Sequence, residues 1–83
     1  MRTLIGLHEL NPDDRAVVYE LKNECGMRRR LQDLGLIEGT AVECIGKAPS
    51  GGLCAYLIRG AVIAIRETDG RLVTVAPIGE KEP

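Results

Sequence analysis

Residues 27–40, MRRRLQDLGLIEGT, constrain the rest of the chain. Met27, Leu31 and Leu34 recur at i, i+4 and i+7, so they share one face of a helix. Arg28 and Gln32 fall on the other side, and Arg29 sits four residues before Asp33. Gly35 follows the last apolar position, where a helix stop requires a residue that enters the left-handed region at little cost. Counting back, Leu31 is C3 and Leu36 is C″, the two positions whose side chains touch in a Schellman cap. The next four residues, Ile37-Glu38-Gly39-Thr40, read as a type II turn with Gly39 at positive φ. Val42 and Ile45 then begin a strand. A helix this short is unstable alone. It must therefore lie across a sheet or over the end of a barrel.

The remaining segments supply that sheet. Leu4, Leu7 and Leu10, at spacing three, suggest a short helical or 3₁₀ turn, followed by a turn at Asn11-Pro12-Asp13-Asp14. Residues 16–22 alternate, with Val17, Tyr19 and Leu21 on one face and Val18, Glu20 and Lys22 on the other. Residues 41–46 form a second strand, with Val42 and Cys44 as its apolar row. Residues 47–52 are a loop by composition, and residues 53–59 form a third strand with Cys54, Tyr56 and Ile58 in one row. Gly60 reverses the chain into a fourth strand, residues 61–66. Residues 67–71 read as a polar turn, and residues 72–76 as a fifth strand stopped by Pro77. The charged tail, residues 79–83, is expected to be disordered, leaving residues 1–78 as a single domain. Five short strands with one central helix make a mainly β chain, and a small barrel is the natural closure because it removes sheet edges.

Composition narrows the function classes. With 45% hydrophobic residues the chain is not a disordered one. It has no Phe or Trp and only two Tyr, so its core is aliphatic and it lacks the rings on which single-strand binders stack bases. A net charge of −1 likewise argues against a nucleic-acid partner. The three cysteines, Cys25, Cys44 and Cys54, are odd in number and lack C-x-x-C spacing, which fits a reducing, cytoplasmic setting. No apolar run has the length of a membrane span, so no direct membrane insertion is expected. The first residues do not read as a signal peptide.

Chemistry-bearing groups are sparse. Arg28-Arg29-Arg30 is the one basic cluster, either a solvated helix surface or a docking patch for an acidic partner. Cys25 precedes the helix near the arginines, an environment that lowers a thiol pKa; the alternative is a small loop residue. Cys44 and Cys54 lie on apolar rows as small core hydrophobes, and their thiols approach if their strands are neighbours. His8 is the single histidine and is expected to be exposed, so the ligands for a complete metal site in one chain are too few. No catalytic motif is present, and no catalytic, cofactor-binding or metal residue is assigned. The expected working surface is the helix and the turn after it, with Arg28, Arg29, Leu36 and Ile37 meeting a partner and Gly35 and Gly39 holding the shape.

The pattern Arg30-Leu31, Leu34-Gly35-Leu36, Gly39-Thr40 resembles the FeoA family of bacterial ferrous-iron uptake. Val42 to Ile45, the loop Lys47-Ala48-Pro49-Ser50-Gly51, the run Ile63-Ala64-Ile65-Arg66 and the closing stretch from Leu72 to Val75 resemble the later segments of that family, in the same order. The segment from Leu7 to Pro12 is similar to its opening, so the resemblance covers about residues 4–76. Glu38 stands where the family often has Pro, Asp14 where Gly is common, and Gly52-Leu53 where Asp-Pro is usual. Thr68-Asp69-Gly70 falls where the family often has a short helical turn, and Gly70 argues against a helix there. The resemblance implies an SH3-like barrel and a cytosolic, non-enzymatic accessory protein that docks on the FeoB transporter and modulates it. The alternative it leaves open is a small metal-binding or metal-sensing domain, related to the C-terminal domain of DtxR-type repressors. With no helix-turn-helix segment ahead of the barrel, a whole repressor is not expected.

Overall fold

Among the described residues, six short strands hydrogen-bond into one antiparallel sheet in the order β1-β6-β2-β3-β4-β5. They are β1 (Ile5–Gly6), β2 (Arg15–Leu21), β3 (Ala41–Lys47), β4 (Leu53–Ile58), β5 (Ala61–Arg66) and β6 (Val73–Pro77). A 3₁₀ turn, Leu7–Glu9, follows β1; helix α1, Met27–Asp33, lies between β2 and β3; helix α2, Glu67–Gly70, joins β5 to β6. The computed structural model describes residues 3–22 and 26–78, with the backbone alone for Met27. Cys25 and the charged tail 79–83 lie outside the described residues, and so does the Met27 side chain.

The fold is the mainly β, small-barrel architecture expected, with one strand more. The extra strand is β1, which pairs Ile5 with Val75 and Gly6 with Thr74 of β6 just before the predicted helical turn. The hydrogen-bond ladder does not close between β1 and β5, so both remain sheet edges among the described residues. That corrects the expectation that closure removes the edges.

The core is aliphatic around one ring. Leu7, Leu10, Ala16, Val18, Leu31, Leu36, Val42, Ile58, Val73 and Val75 surround Tyr56, which is 1% exposed. The Tyr56 hydroxyl donates to the Leu7 carbonyl at 3.1 Å, tying the 3₁₀ turn to the middle of the sheet. Leu31 is buried as the helical spacing requires, whereas Leu34, the last residue before the chain turns away at Gly35, is 37% exposed.

Two bulges redirect side chains. In β2, Val18 pairs with Val75 and Glu20 with Thr74, which leaves Tyr19 as an extra residue. The alternation therefore breaks: Ala16, Val18 and Leu21 point inward and Tyr19 is 46% exposed. The expected face of Val17, Tyr19 and Leu21 is thus wrong for Val17 and Tyr19, and Ala16 and Val18 belong to the core with Leu21. In β3, Cys44 pairs with Tyr56 and Gly46 with Ala55, so Ile45 is the extra residue and faces solvent.

Residues 67–70 are helical, against the expectation of a turn. Gly70 serves here by its size. A Cβ on it would stand 3.3 Å from both the His8 Cβ and the His8 backbone nitrogen, so any side chain would crowd the 3₁₀ turn on which α2 rests. His8 is accordingly half-buried rather than exposed, and its Nδ1 is enclosed without a hydrogen-bond partner.

Candidate functional site

The end of α1 is built as its glycines demand. The Gly35 N–H donates to the Gln32 carbonyl at 2.9 Å and the Leu36 N–H to the Leu31 carbonyl at 3.1 Å, the paired bonds of a Schellman cap. Gly35 has φ of 104°. Leu31 and Leu36, both buried, supply the apolar contact positions of that cap. The Thr40 N–H then donates to the Ile37 carbonyl at 2.9 Å, closing the turn in which Gly39 has φ of 92°. This turn is stitched to β2 from both sides: the Gly39 N–H donates to the Val18 carbonyl and the Val18 N–H to the Thr40 carbonyl, each at 2.8 Å. The position of Ile37 relative to β2 is therefore fixed by backbone bonds.

Between the end of β2, the outer side of α1 and this turn lies an open cleft of about 680 Å³. Glu20 comes from β2 and Lys22 from the residue just after it, Arg28 and Gln32 from α1, and Ile37 and Glu38 from the turn. Ile37 is 43% exposed and is the apolar anchor, while the two carboxylates and two cations form a mixed rim. Such a surface can hold a peptide or loop by one apolar side chain and orient it by charge. The structure brings Arg28 and Ile37 together here. Arg29 is exposed but does not line the cleft. Leu36 is fully buried, which removes it from the expected docking surface: the cap that makes Ile37 available draws Leu36 into the core. Gln32 had a signal in the sequence, one helical turn after Arg28 on the outer face. Glu20 and Lys22 had only their outward strand positions, which say nothing about α1 lying beside them.

Cys44 and Cys54 both point inward from the neighbouring strands β3 and β4. Burial pushes the Cys44 thiol above its usual range, with the Cys54 thiol as a second cause. Burial likewise raises Tyr56 well above the usual phenol range. These groups are kept neutral, in keeping with core packing. Among the described residues no three His, Cys, Asp or Glu side chains are grouped to hold a metal ion. No helix among them is long and apolar enough to cross a membrane.

Known proteins of this shape are informative. The family model for the FeoA domain matches residues 5–77. A FeoA-like protein from Clostridium acetobutylicum is similar at TM-score 0.90 and 29% identity, over 100% of this chain and 96% of that one. FeoA from Chlorobium tepidum is similar at TM-score 0.83 and 32% identity, over 94% of this chain and 74% of that one. FeoA of Stenotrophomonas maltophilia complexed with zinc is described as a prokaryotic SH3-domain protein and a possible ferrous-iron transport activating factor. It is similar at TM-score 0.76 and 27% identity, over 86% of this chain and 88% of that one. A manganese-dependent transcriptional repressor shares the fold alone, at TM-score 0.83 and 13% identity, with 41% of its length covered. No curated protein matches the chain by sequence. With the six-stranded SH3-like sheet, the capped helix and a family model spanning nearly all of its described residues, this chain belongs to the FeoA family.

Proposed function

We propose that this chain is a non-enzymatic, cytoplasmic accessory protein of ferrous-iron uptake that docks on a FeoB-type transporter and modulates it. Family membership supports the iron-transport setting. The observation that carries the docking surface is the cleft beside α1, where Ile37 is exposed within a rim of Arg28, Gln32, Glu20, Lys22 and Glu38. Ile37 enters an apolar notch of the partner. Arg28, with Arg29 close by on the helix, speeds encounter with an acidic face and makes it salt-dependent.

The test is a titration against the transporter's isolated cytosolic GTP-binding domain and against the whole transporter, with and without GTP, at low and high salt. Arg28→Glu with Arg29→Glu is expected to weaken binding at low salt by about tenfold or more, and Ile37→Asp to weaken it at both salt concentrations. Both sites are exposed, so the fold is expected to hold. Unchanged affinity in folded variants places the docking surface elsewhere; no binding by the wild-type chain overturns the partnership.

A further inference from the structure

Among the described residues the strand β5 hydrogen-bonds to β4 alone. The short Arg59-Gly60 loop makes Ile58 and Ala61 a hydrogen-bonded pair, and alternation gives Tyr56 with Ile63 and Cys54 with Ile65 the same character. The backbone N–H and C=O groups of Val62 and Ala64 therefore point away from β4, out of the sheet edge. No turn, loop or cap among the described residues takes up these groups. Edges are ordinarily guarded by lysine, proline or a bulge. Residues 61–65, AVIAI, carry no charge and no proline, and the β4–β5 register is unbroken. Val62 is 63% exposed, and its outward row continues across the sheet through Leu57.

We propose that this edge pairs with the same edge of a second copy of the chain, antiparallel, about a two-fold axis at Ile63. In that register Val62 of each copy lies opposite Ala64 of the other, and each pair exchanges both of its free hydrogen bonds. The same register brings Arg59 beside Glu67 of the second copy at both ends of the shared strand pair. Shifting it by one residue on each copy sets Arg66 against the apolar Val62 in one direction and Arg59 against the apolar Ile65 in the other, and a parallel pairing stacks Arg59 on Arg59. Charge and hydrogen-bond phase thus agree on one self-complementary arrangement, as a two-fold interface requires. No residue of the α1 cleft lies on β5, so this pairing stands independently of the transporter docking.

Sedimentation of the full chain across a concentration series tests it. The wild type is expected to pass from monomer to dimer, with the Val62 and Ala64 amides gaining hydrogen-exchange protection as the dimer forms. Val62→Lys, at an exposed site, is expected to weaken the dimer by about tenfold or more without loss of fold. Arg59→Glu is expected to weaken it, and the double exchange Arg59→Glu with Glu67→Arg to restore it. Circular dichroism monitors the fold of each variant. A wild type that sediments as a monomer throughout overturns the proposal, as does a dimer unmoved by Val62→Lys. A double exchange no tighter than Arg59→Glu alone overturns the register.

Discussion

Gly35 and Gly39 have similar backbone angles and unlike surroundings. Each has positive φ, so an L side chain at either position is strained. At Gly39 a Cβ would meet nothing within 4 Å, and the strain is the whole cost. At Gly35 it would stand 3.0 Å from Ile58 Cγ2 and 3.4 Å from the Arg59 Cδ, so the Ile58 side chain or the cap would also have to give way. Gly39→Ala is therefore expected to destabilise by about 1–2 kcal/mol, and Gly35→Ala by clearly more. Denaturant midpoints of the two variants check the order; equal losses would show that α1 moves freely against β4. Leu36 belongs to the same device. Its N–H completes the cap and its side chain fills the core, so the exposed apolar residue of the turn is Ile37.

At the scale of elements, the sheet is drawn together by a tether from an otherwise slight segment. The 3₁₀ turn is three residues long and is held to β4 by the bond from the Tyr56 hydroxyl to the Leu7 carbonyl. Tyr56→Phe keeps the ring in the core and leaves that carbonyl with the Leu10 N–H, at 3.2 Å, as its remaining donor; the loss is expected to cost about 0.5–1.5 kcal/mol. Thermal melts read this cost, and a melting temperature equal to wild type would show that water or a shifted backbone replaces the bond. Much of the element order was legible in the sequence. The rows Val42/Cys44 and Cys54/Tyr56/Ile58 alternate cleanly, and glycine marked the end of α1 and the hairpin reversal. The bulges at Tyr19 and Ile45 were not legible, because a bulge depends on the partner strand and leaves only a local break in alternation. The role of Gly70 was hidden for a similar reason. It is set by contact with His8, far away in sequence, so helix propensity alone misjudged it. Of the candidate site, Arg28 and Ile37 were legible from the helix and its stop. The β2 side of the cleft was not, since its nearness to α1 is a tertiary fact.

The whole molecule surrounds its core with a single shell of short elements, so one ionisation inside is felt throughout. Cys44 and Tyr56 are buried, and burial is the main reason that both resist ionisation in the folded chain. In the unfolded chain a thiol ionises near pH of about 8.5 and a phenol near about 10. A folded-state pKa raised above the unfolded value gives a definite sign. The stabilisation is fully present below the unfolded value and is lost as pH rises from there toward the folded value. Cys44 therefore begins to cost stability from about pH 8.5, and Tyr56 adds to the loss from about pH 10. Where one group is ionised only in the unfolded chain, the slope approaches about 1.4 kcal/mol per pH unit. Denaturant unfolding at a series of pH values from neutral to alkaline measures it directly. Wild type is expected to fall across the thiol range, and Cys44→Ala to be weaker at neutral pH but flatter through that range. Tyr56→Phe is expected to lose the steeper fall at higher pH. A wild-type stability that stays level through the thiol range would show that water reaches Cys44 and that the barrel opens at the β3 bulge beside it.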